Sequence, residues 1–406
     1  MLRSSLPEKQ IQGNPLEFHL RAFATSLLES GYQKRTIQGK LYLLTGFGWW
    51  FGRSGRAIAH IDERLVDAFV RHKRRMRRAD LGTLRQFLDH LRKRDVIPPR
   101  KLVPDQSPLA GILNAYEQYL RSERGLVPRT IRDHQFYVRR FLVERFGKKP
   151  PVLTEIQVRD ISDFIVRHCR GLSIGRARWV PTALRSFFRF LFQKGELAAD
   201  LAASVPAVAD WRRSTVPKHL TPEEVRRVLR ACDCHTSNGR RDYAILLLLA
   251  RLGLRAGEVV ALQLEDINWR AGEILVRGKG LLHDRMPLPA DVGKALASYL
   301  RRDRPACRTR RVFVCMKAPH RGFAACATLP TIVRCAIERA NLHPPSKGAH
   351  LLRHSLAMSM LRSGATMGEI GEVLRHRNPN TTEIYAKVDF DGLRSLAHPW
   401  PVGGAQ

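Results

Sequence analysis

The sequence predicts a mainly α-helical chain with one small β-hairpin or sheet, an α+β arrangement in which helical domains precede a mixed C-terminal half. Three observations carry this. Apolar residues recur at intervals of three and four through most of the 406 residues, with arginines on the opposite faces. The helical front half repeats itself. Only the stretch 272–289 alternates with the period of two that a half-buried strand pair requires.

The repeat orders the first half. "SGYQKRTIQGKLYLLTGFGWWFG" (30–52) parallels "RGLVPRTIRDHQFYVRRFLVERFG" (124–147), so Arg35-Thr36-Ile37 falls on Arg129-Thr130-Ile131. "VDAFVRH" (66–72) parallels "ISDFIVRH" (161–168), and "TLRQFLDHLRKRD" (83–95) parallels "ALRSFFRFLFQKG" (183–195). Each copy reads as helix, turn, long helix, turn and two further helices. Two copies of one small helical domain are therefore expected at residues 14–100 and 107–203. Pro98-Pro99 and "VPDQSP" (103–108) mark the joint between them, and "ADWRRSTVPKHLTPEEV" (209–225) a second linker. That linker ends in a strong helix start, with Thr221 as N-cap, Pro222 at N1 and Glu224 at N3.

Beyond it, "EEVRRVLRAC" reads as a helix and "RDYAILLLLARL" (241–252) as a buried one stopping at Gly253. A short helix follows within 254–269. "GEILVRG" (272–278) and "RMPLP" (285–289) form the hairpin, with "KGLLHD" as its turn and Lys279 near the tip. Helices return in "ATLPTIVRCAIERANL" (327–342), "AHLLRHSLAMSMLRSGA" (349–365) and "TMGEIGEVLRH" (366–376). In "HRNPNTTEIYAKV" (376–388), Asn378-Pro379 and the two threonines read as a turn entering a helix, with Ile384, Tyr385 and Val388 facing inward together. On this reading alone, Tyr385 is a core residue.

Charge narrows the partner. Lys and Arg number 70 against 37 Asp and Glu, a formal net charge of +33, and Arg dominates. Such an excess fits a polyanion, and guanidinium forks suit phosphate. Seven scattered cysteines give no disulfide framework, so a reducing cytoplasm is expected. Cys232, Cys234 and His235 lack a second pair for a zinc site. The N-terminal "MLRSSLPEKQIQG" has no apolar core for a signal peptide, and "YAILLLLARLGL" is interrupted by Arg251 and too short to span a bilayer. A soluble protein without a membrane partner is expected.

Four segments of the back half carry residues of common chemical purpose. Arg255 follows a glycine turn and opens a helix. His350 and Arg353, at i and i+3, share a helical face. His376 precedes the turn into the tyrosine segment, and Lys279 sits on the hairpin. Metal-free attack on a phosphodiester requires such a set. Arginines would neutralise the phosphoryl oxygens, a histidine would accept the phenol proton, and a lysine would protonate the leaving 5′ oxygen. No convergent acidic cluster stands near them to hold magnesium, and no cofactor is called for.

The ordered segments resemble the tyrosine recombinases, the phage integrase family. "LGLRAGEVVALQLEDINW" resembles their first box, "HLLRHSLAMSMLRSGA" their His-x-x-Arg box, and "IGEVLRHRNPNTTEIYAKV" their final His-to-Tyr box. The resemblance spans 219–390 and implies a tyrosine recombinase catalytic domain there. It makes 107–203 the family's helical core-binding domain, 14–100 an additional copy, and 391–406 a C-terminal tail. It implies that Arg255 and Arg353 clamp phosphate, Lys279 is the general acid, His350 the general base, His376 a donor to the scissile phosphate and Tyr385 the nucleophile. Glu258 would support the first arginine, and His354 would pack or hydrogen-bond. Arg375 stands where the family usually has Gly.

By the same resemblance the enzyme cuts and rejoins double-stranded DNA at specific sites through a 3′-phosphotyrosyl bond. Four protomers would assemble on two sites, with segment 389–406, anchored by Leu393, Leu396 and Trp400, docking on a neighbour. The additional front copy favours a mobile-element integrase, recombinase or transposase over a chromosome-dimer resolvase. A DNA-binding protein that keeps the fold without the chemistry, and a type IB topoisomerase, are the rival readings.

Overall fold

The computed structural model describes residues 11–73, 77–100, 107–147, 149–208, 217–278, 283–323, 328–378 and 381–388. Lys279, the tail 391–406 and the Val388 side chain lie outside the described residues. The chain divides into two compact units, Met1–Arg100 together with Thr215–Gln406, and Lys101–Ser214.

The first unit opens with four helices: α1 (Glu17–Glu29), α2 (Lys34–Gly52), α3 (Glu63–His72) and α4 (Arg78–Lys93). Their apolar stripes close on Phe23, Leu44, Phe47, Phe87 and Leu91, each at most 2% exposed. The second unit repeats the plan. It holds α5 (Ala110–Gln118) with a π-helical turn at Tyr119–Glu123, α6 (Pro128–Phe146), α7 (Val158–Cys169), the single turn α8 (Ile174–Ala177) and α9 (Trp179–Gln193). Phe141, Phe164, Phe187 and Phe188 fill its core. The buried Tyr116 hydroxyl lies 3.1 Å from His134 Nδ1, which satisfies both polar groups inside that core.

The remainder of the first unit is built around α11 (Ser237–Arg251), preceded by α10 (Pro222–Arg230). Residues Ala244 to Leu249 of α11 are all at most 1% exposed, so this helix is buried on every side, as its unbroken apolar run dictates. At α10, Thr221 and Glu224 form the reciprocal capping box that the sequence signals.

After α12 (Ala256–Ala261) comes an antiparallel sheet of β1 (Ile267–Asn268), β2 (Glu273–Arg277) and β3 (His283–Pro287), in that order. Ile274 pairs with Met286 and with Ile267, and these face the core while Leu275 and Arg285 face outward. The sequence predicts a two-stranded hairpin whose second strand starts at residue 285. The sheet gains β1, too short for its alternation to register, and β3 begins at His283, within the expected turn.

Helix α13 (Ala290–Arg302), which the sequence pattern does not predict, packs along α11. Its Val292, Ala295, Leu296 and Tyr299 do recur at three and four, but Gly293 and small residues dilute the stripe. Helices α14 (Thr328–Arg339), α15 (Ala349–Arg362) and α16 (Met367–Val373) follow. The tyrosine segment, Glu383–Val388, is a 3-10 helix rather than an α-helix, and Tyr385 N donates to Thr382 O at 3.0 Å. Among the described residues, no helix is long and apolar enough to cross a membrane.

Candidate active site

Gly253, at φ +57°, ends α11 and starts the turn that delivers Arg255 to the N-cap of α12. A Cβ at Gly253 would stand 2.6 Å from Leu374 Cδ2 and 3.1 Å from Leu356 Cδ2, so the backbone passes where no side chain fits. Arg353 reaches this turn from α15. Its Nη1 donates to Gly253 O and its Nη2 to Leu374 O, and the residue is only 5% exposed. Three chain segments distant in sequence are therefore tied by one guanidinium. Burial, then the charges of Arg255 and Arg375, lower the Arg353 pKa to about 10, so it stays cationic at neutral pH.

Arg255 is fixed in turn by a carboxylate. Glu258 Oε2 accepts from Arg255 N at 2.8 Å, closing the helix cap, and Oε1 accepts from Arg255 Nη1 at 2.8 Å. Arg255 Nη2 also donates to Arg375 O at 3.2 Å. Burial pushes the Glu258 carboxyl upward, but the Arg255 amide and the charges of Arg375 and Arg255 outweigh it and hold the group below its ordinary value. Glu258 thus supports Arg255 as the sequence reading expects.

Arg375 completes the group in a way the sequence does not signal. It adopts φ +54°, in the left-handed region that favours glycine. Its side chain folds back to place Nη2 2.8 Å from Glu258 Oε2, beside Met286 on β3. A glycine would adopt this backbone without strain, and the ion pair to Glu258 is what the arginine gains.

Around this cationic floor stand three histidines and the tyrosine. His376 Nδ1 lies 2.8 Å from the buried Thr382 Oγ1, a contact that ties the final histidine to the segment carrying Tyr385. Burial, then Arg353 and Arg255, lower the His376 pKa to about 4. Burial, then the charges of Arg353 and Arg255, lower the His350 pKa as well.

Tyr385 is 1% exposed, its ring packed with Ala357, Met358, Ile370 and Leu374. Its hydroxyl lies 2.7 Å from His354 Nδ1. Burial raises the phenol pKa to about 12, against a lowering pull from Arg353. Burial, then His350 and Arg353, lower the His354 pKa to about 4. In the tautomer that carries its proton on Nε2, the neutral ring accepts from the phenol at Nδ1.

Arg255, His350, Arg353, His376 and Tyr385 all converge here through these contacts and mutual fields. Lys279 lies outside the described residues. Two further residues, His354 and Thr382, touch the site. His354 carried a usable signal, since it is four residues from His350 on the same helical face, while Thr382 carried none.

The region 218–391 matches the family model described as "Phage integrase family", and 113–195 matches "Phage integrase, N-terminal SAM-like domain". An integrase/recombinase of Sinorhizobium fredii (y4rA) is 43% identical over 397 residues, covering 97% of this chain and 96% of that one. The chain belongs to the phage integrase family. As a tyrosine recombinase it is an enzyme that breaks and rejoins DNA strands in site-specific recombination.

The tyrosine recombinase XerC of Shewanella amazonensis is 30% identical, covering 71% of this chain and 96% of that protein. Among solved structures, the XerH site-specific recombinase bound to its palindromic difH substrate shares the fold. It has a TM-score of 0.57 at 22% identity, over 73% of this chain and 90% of that one. The mainly helical fold with its small sheet is the recombinase fold expected from the sequence.

Proposed function

We propose that this recombinase cleaves each strand with Tyr385 as nucleophile, leaving a 3′-phosphotyrosyl bond and a free 5′-hydroxyl. Arg255 and Arg353 hold the scissile phosphate, and His376 donates to it. By resemblance, His350 takes the part of the base and Lys279 protonates the leaving 5′ oxygen. The bond energy stays in the phosphotyrosine, so the reaction consumes no nucleotide and calls for no metal.

The observation that carries the reading is the convergence on one floor of two arginines, neutral histidines and a buried tyrosine hydroxyl. A pocket that only bound DNA would place no demand on a tyrosine hydroxyl paired with an imidazole. Residues 107–203 would act as the core-binding domain, 219–390 as the catalytic domain and 14–100 as a further helical module. By the same reading, four protomers assemble on two specific double-stranded sites in the cytoplasm, with the tail 391–406 docking on a neighbour.

A mobile-element role is favoured over chromosome-dimer resolution by the reach of the likeness. The Sinorhizobium integrase/recombinase matches 97% of this chain, front copy included, whereas the XerC relative matches 71%.

The test is covalent trapping on a suicide substrate carrying the chain's own recombination site, in EDTA. Wild type forms the adduct and Tyr385→Phe does not. Equal trapping by Tyr385→Phe removes the assignment.

A further inference from the structure

The base that takes the Tyr385 proton is open to identification by contact. Among the described residues, the Tyr385 hydroxyl has one hydrogen-bond partner, His354 Nδ1 at 2.7 Å. The two rings are steeply inclined, at 63° with centroids 5.7 Å apart, and the imidazole meets the hydroxyl through Nδ1. His350, by contrast, stands one helical turn earlier with its ring 6.4 Å from that of His354. We propose that His354, four residues after His350 on α15, is the catalytic residue that accepts the phenol proton of Tyr385 during strand cleavage, in place of His350, to which the resemblance gives that part. This rests on Tyr385 being the nucleophile.

Four features of the surroundings fit that role. His354 faces His350 and Arg353 on its own helix, His219 from the segment before α10, His376 after α16, and Tyr385 itself. No carboxylate is among these groups, so the ring is neutral at physiological pH, and its Nε2–H tautomer presents the Nδ1 lone pair to the phenol. Its position is set before substrate arrives, because α15 is fixed by Arg353 to Gly253 and Leu374. Tyr385 is held equally firmly by Ala357 and Met358 of that helix and Ile370 and Leu374 of the next.

The proton ledger closes. The Tyr385 O–H bond breaks and a bond from His354 Nδ1 to hydrogen forms, while the Tyr385 oxygen bonds to phosphorus. The bond from phosphorus to the 5′ oxygen then breaks, and Lys279 supplies a proton to that oxygen. Rejoining runs the same steps backward. Full transfer from the phenol to the imidazole alone is uphill, since the phenol is pushed up to about 12 and the imidazole down to about 4. A bound phosphate anion offsets the charge of Arg353 beside the imidazole, so the proton moves as the bond to phosphorus forms. His350, exposed and beside the arginines, is left free to contact phosphate.

The test measures single-turnover cleavage of a suicide substrate by the full chain from pH 7 to 9, with wild type, His354→Ala, His354→Gln and Tyr385→Phe. Glutamine can accept the phenol hydrogen bond but cannot take the proton. Loss of a general base predicts that both His354 variants are about 10²- to 10⁴-fold slower at pH 7. Their rates should then rise close to tenfold per pH unit, as solvent hydroxide supplies the phenolate, while wild type stays level. Wild-type rates in either variant, faster cleavage as from releasing a latch, or a loss equal at every pH each overturn the proposal. Adduct formation by Tyr385→Phe would instead remove the underlying assignment.

Discussion

Arg375 and Glu258 form an ion pair sealed from solvent, with Nη2 2.8 Å from Oε2 and side chains 8% and 6% exposed. The pair joins the turn before His376 to the cap that positions Arg255, and Glu258 serves both arginines at once. Breaking a buried pair leaves an uncompensated charge, which commonly costs 3–5 kcal/mol. Here Arg255 still partners Glu258, so the low end applies. Arg375→Ala should lower stability by about 3 kcal/mol. Arg375→Gly should lose about 1 kcal/mol less, because glycine relieves the left-handed backbone. Urea titration measures both, and a glycine variant less stable than the alanine one would contradict the strain argument.

Histidine burial makes stability fall with acid earlier than carboxylates would dictate. His354 and His376 have folded pKa values of about 4 against 6.5 for the free side chain. Between those values the unfolded chain binds protons that the folded chain refuses, so stability rises with pH. Their contribution is complete above 6.5 and is lost as pH falls toward 4. Urea midpoints followed from pH 7 to 4.5 should therefore decline, and the His354→Gln/His376→Gln double variant should decline less. His19, His90 and His134 are depressed by burial in the helical segments, so some slope persists. An unchanged slope in the double variant would show that these two rings are already charged in the fold.

Much of this was legible because periodicity and order survive without coordinates. The repeat placed eight helices of the two copies, and the boxes named five residues that converge. What stayed hidden depends on contacts between distant segments. Nothing near Arg375 in sequence announces Glu258, 117 residues away. The partner of Tyr385 was a choice among histidines that only packing decides. β1 is two residues long and exists because β2 offers it an edge.

Lys279 can be tested without reference to its position. A general acid matters only while the leaving group needs a proton. Lys279→Met should slow cleavage of ordinary DNA about 10²- to 10⁴-fold. A substrate with sulfur replacing the 5′ bridging oxygen should restore most of that rate, because a thiolate departs unprotonated. His354→Ala should gain nothing from the same sulfur, since its defect lies at the attacking oxygen. Gel-resolved adduct formation distinguishes the two, and failure of sulfur to rescue Lys279→Met would reassign the lysine to phosphate binding.

The front helices meet the sheet-bearing part of their unit at one close corner. His320 N donates to Ser30 O at 3.0 Å, and Arg308 Nη2 lies 2.9 Å from Glu29 Oε2. That ion pair is solvent-exposed and worth little. The corner itself is steric: Gly31 has φ +84°, and a Cβ there would stand 2.0 Å from His320 Cδ2. The His320 ring has little room to yield, because its Nδ1 lies 3.0 Å from Cys315 O. Gly31→Ala should therefore both strain the turn and push the two parts apart, while each keeps its own core. Hydrogen exchange at the residue 320 amide should quicken at least tenfold, the equivalent of about 1.4 kcal/mol of lost docking. Adding His320→Ala removes the obstructing ring and should return much of the protection. If exchange in Gly31→Ala stays at the wild-type rate, the corner does not hold the front helices in place.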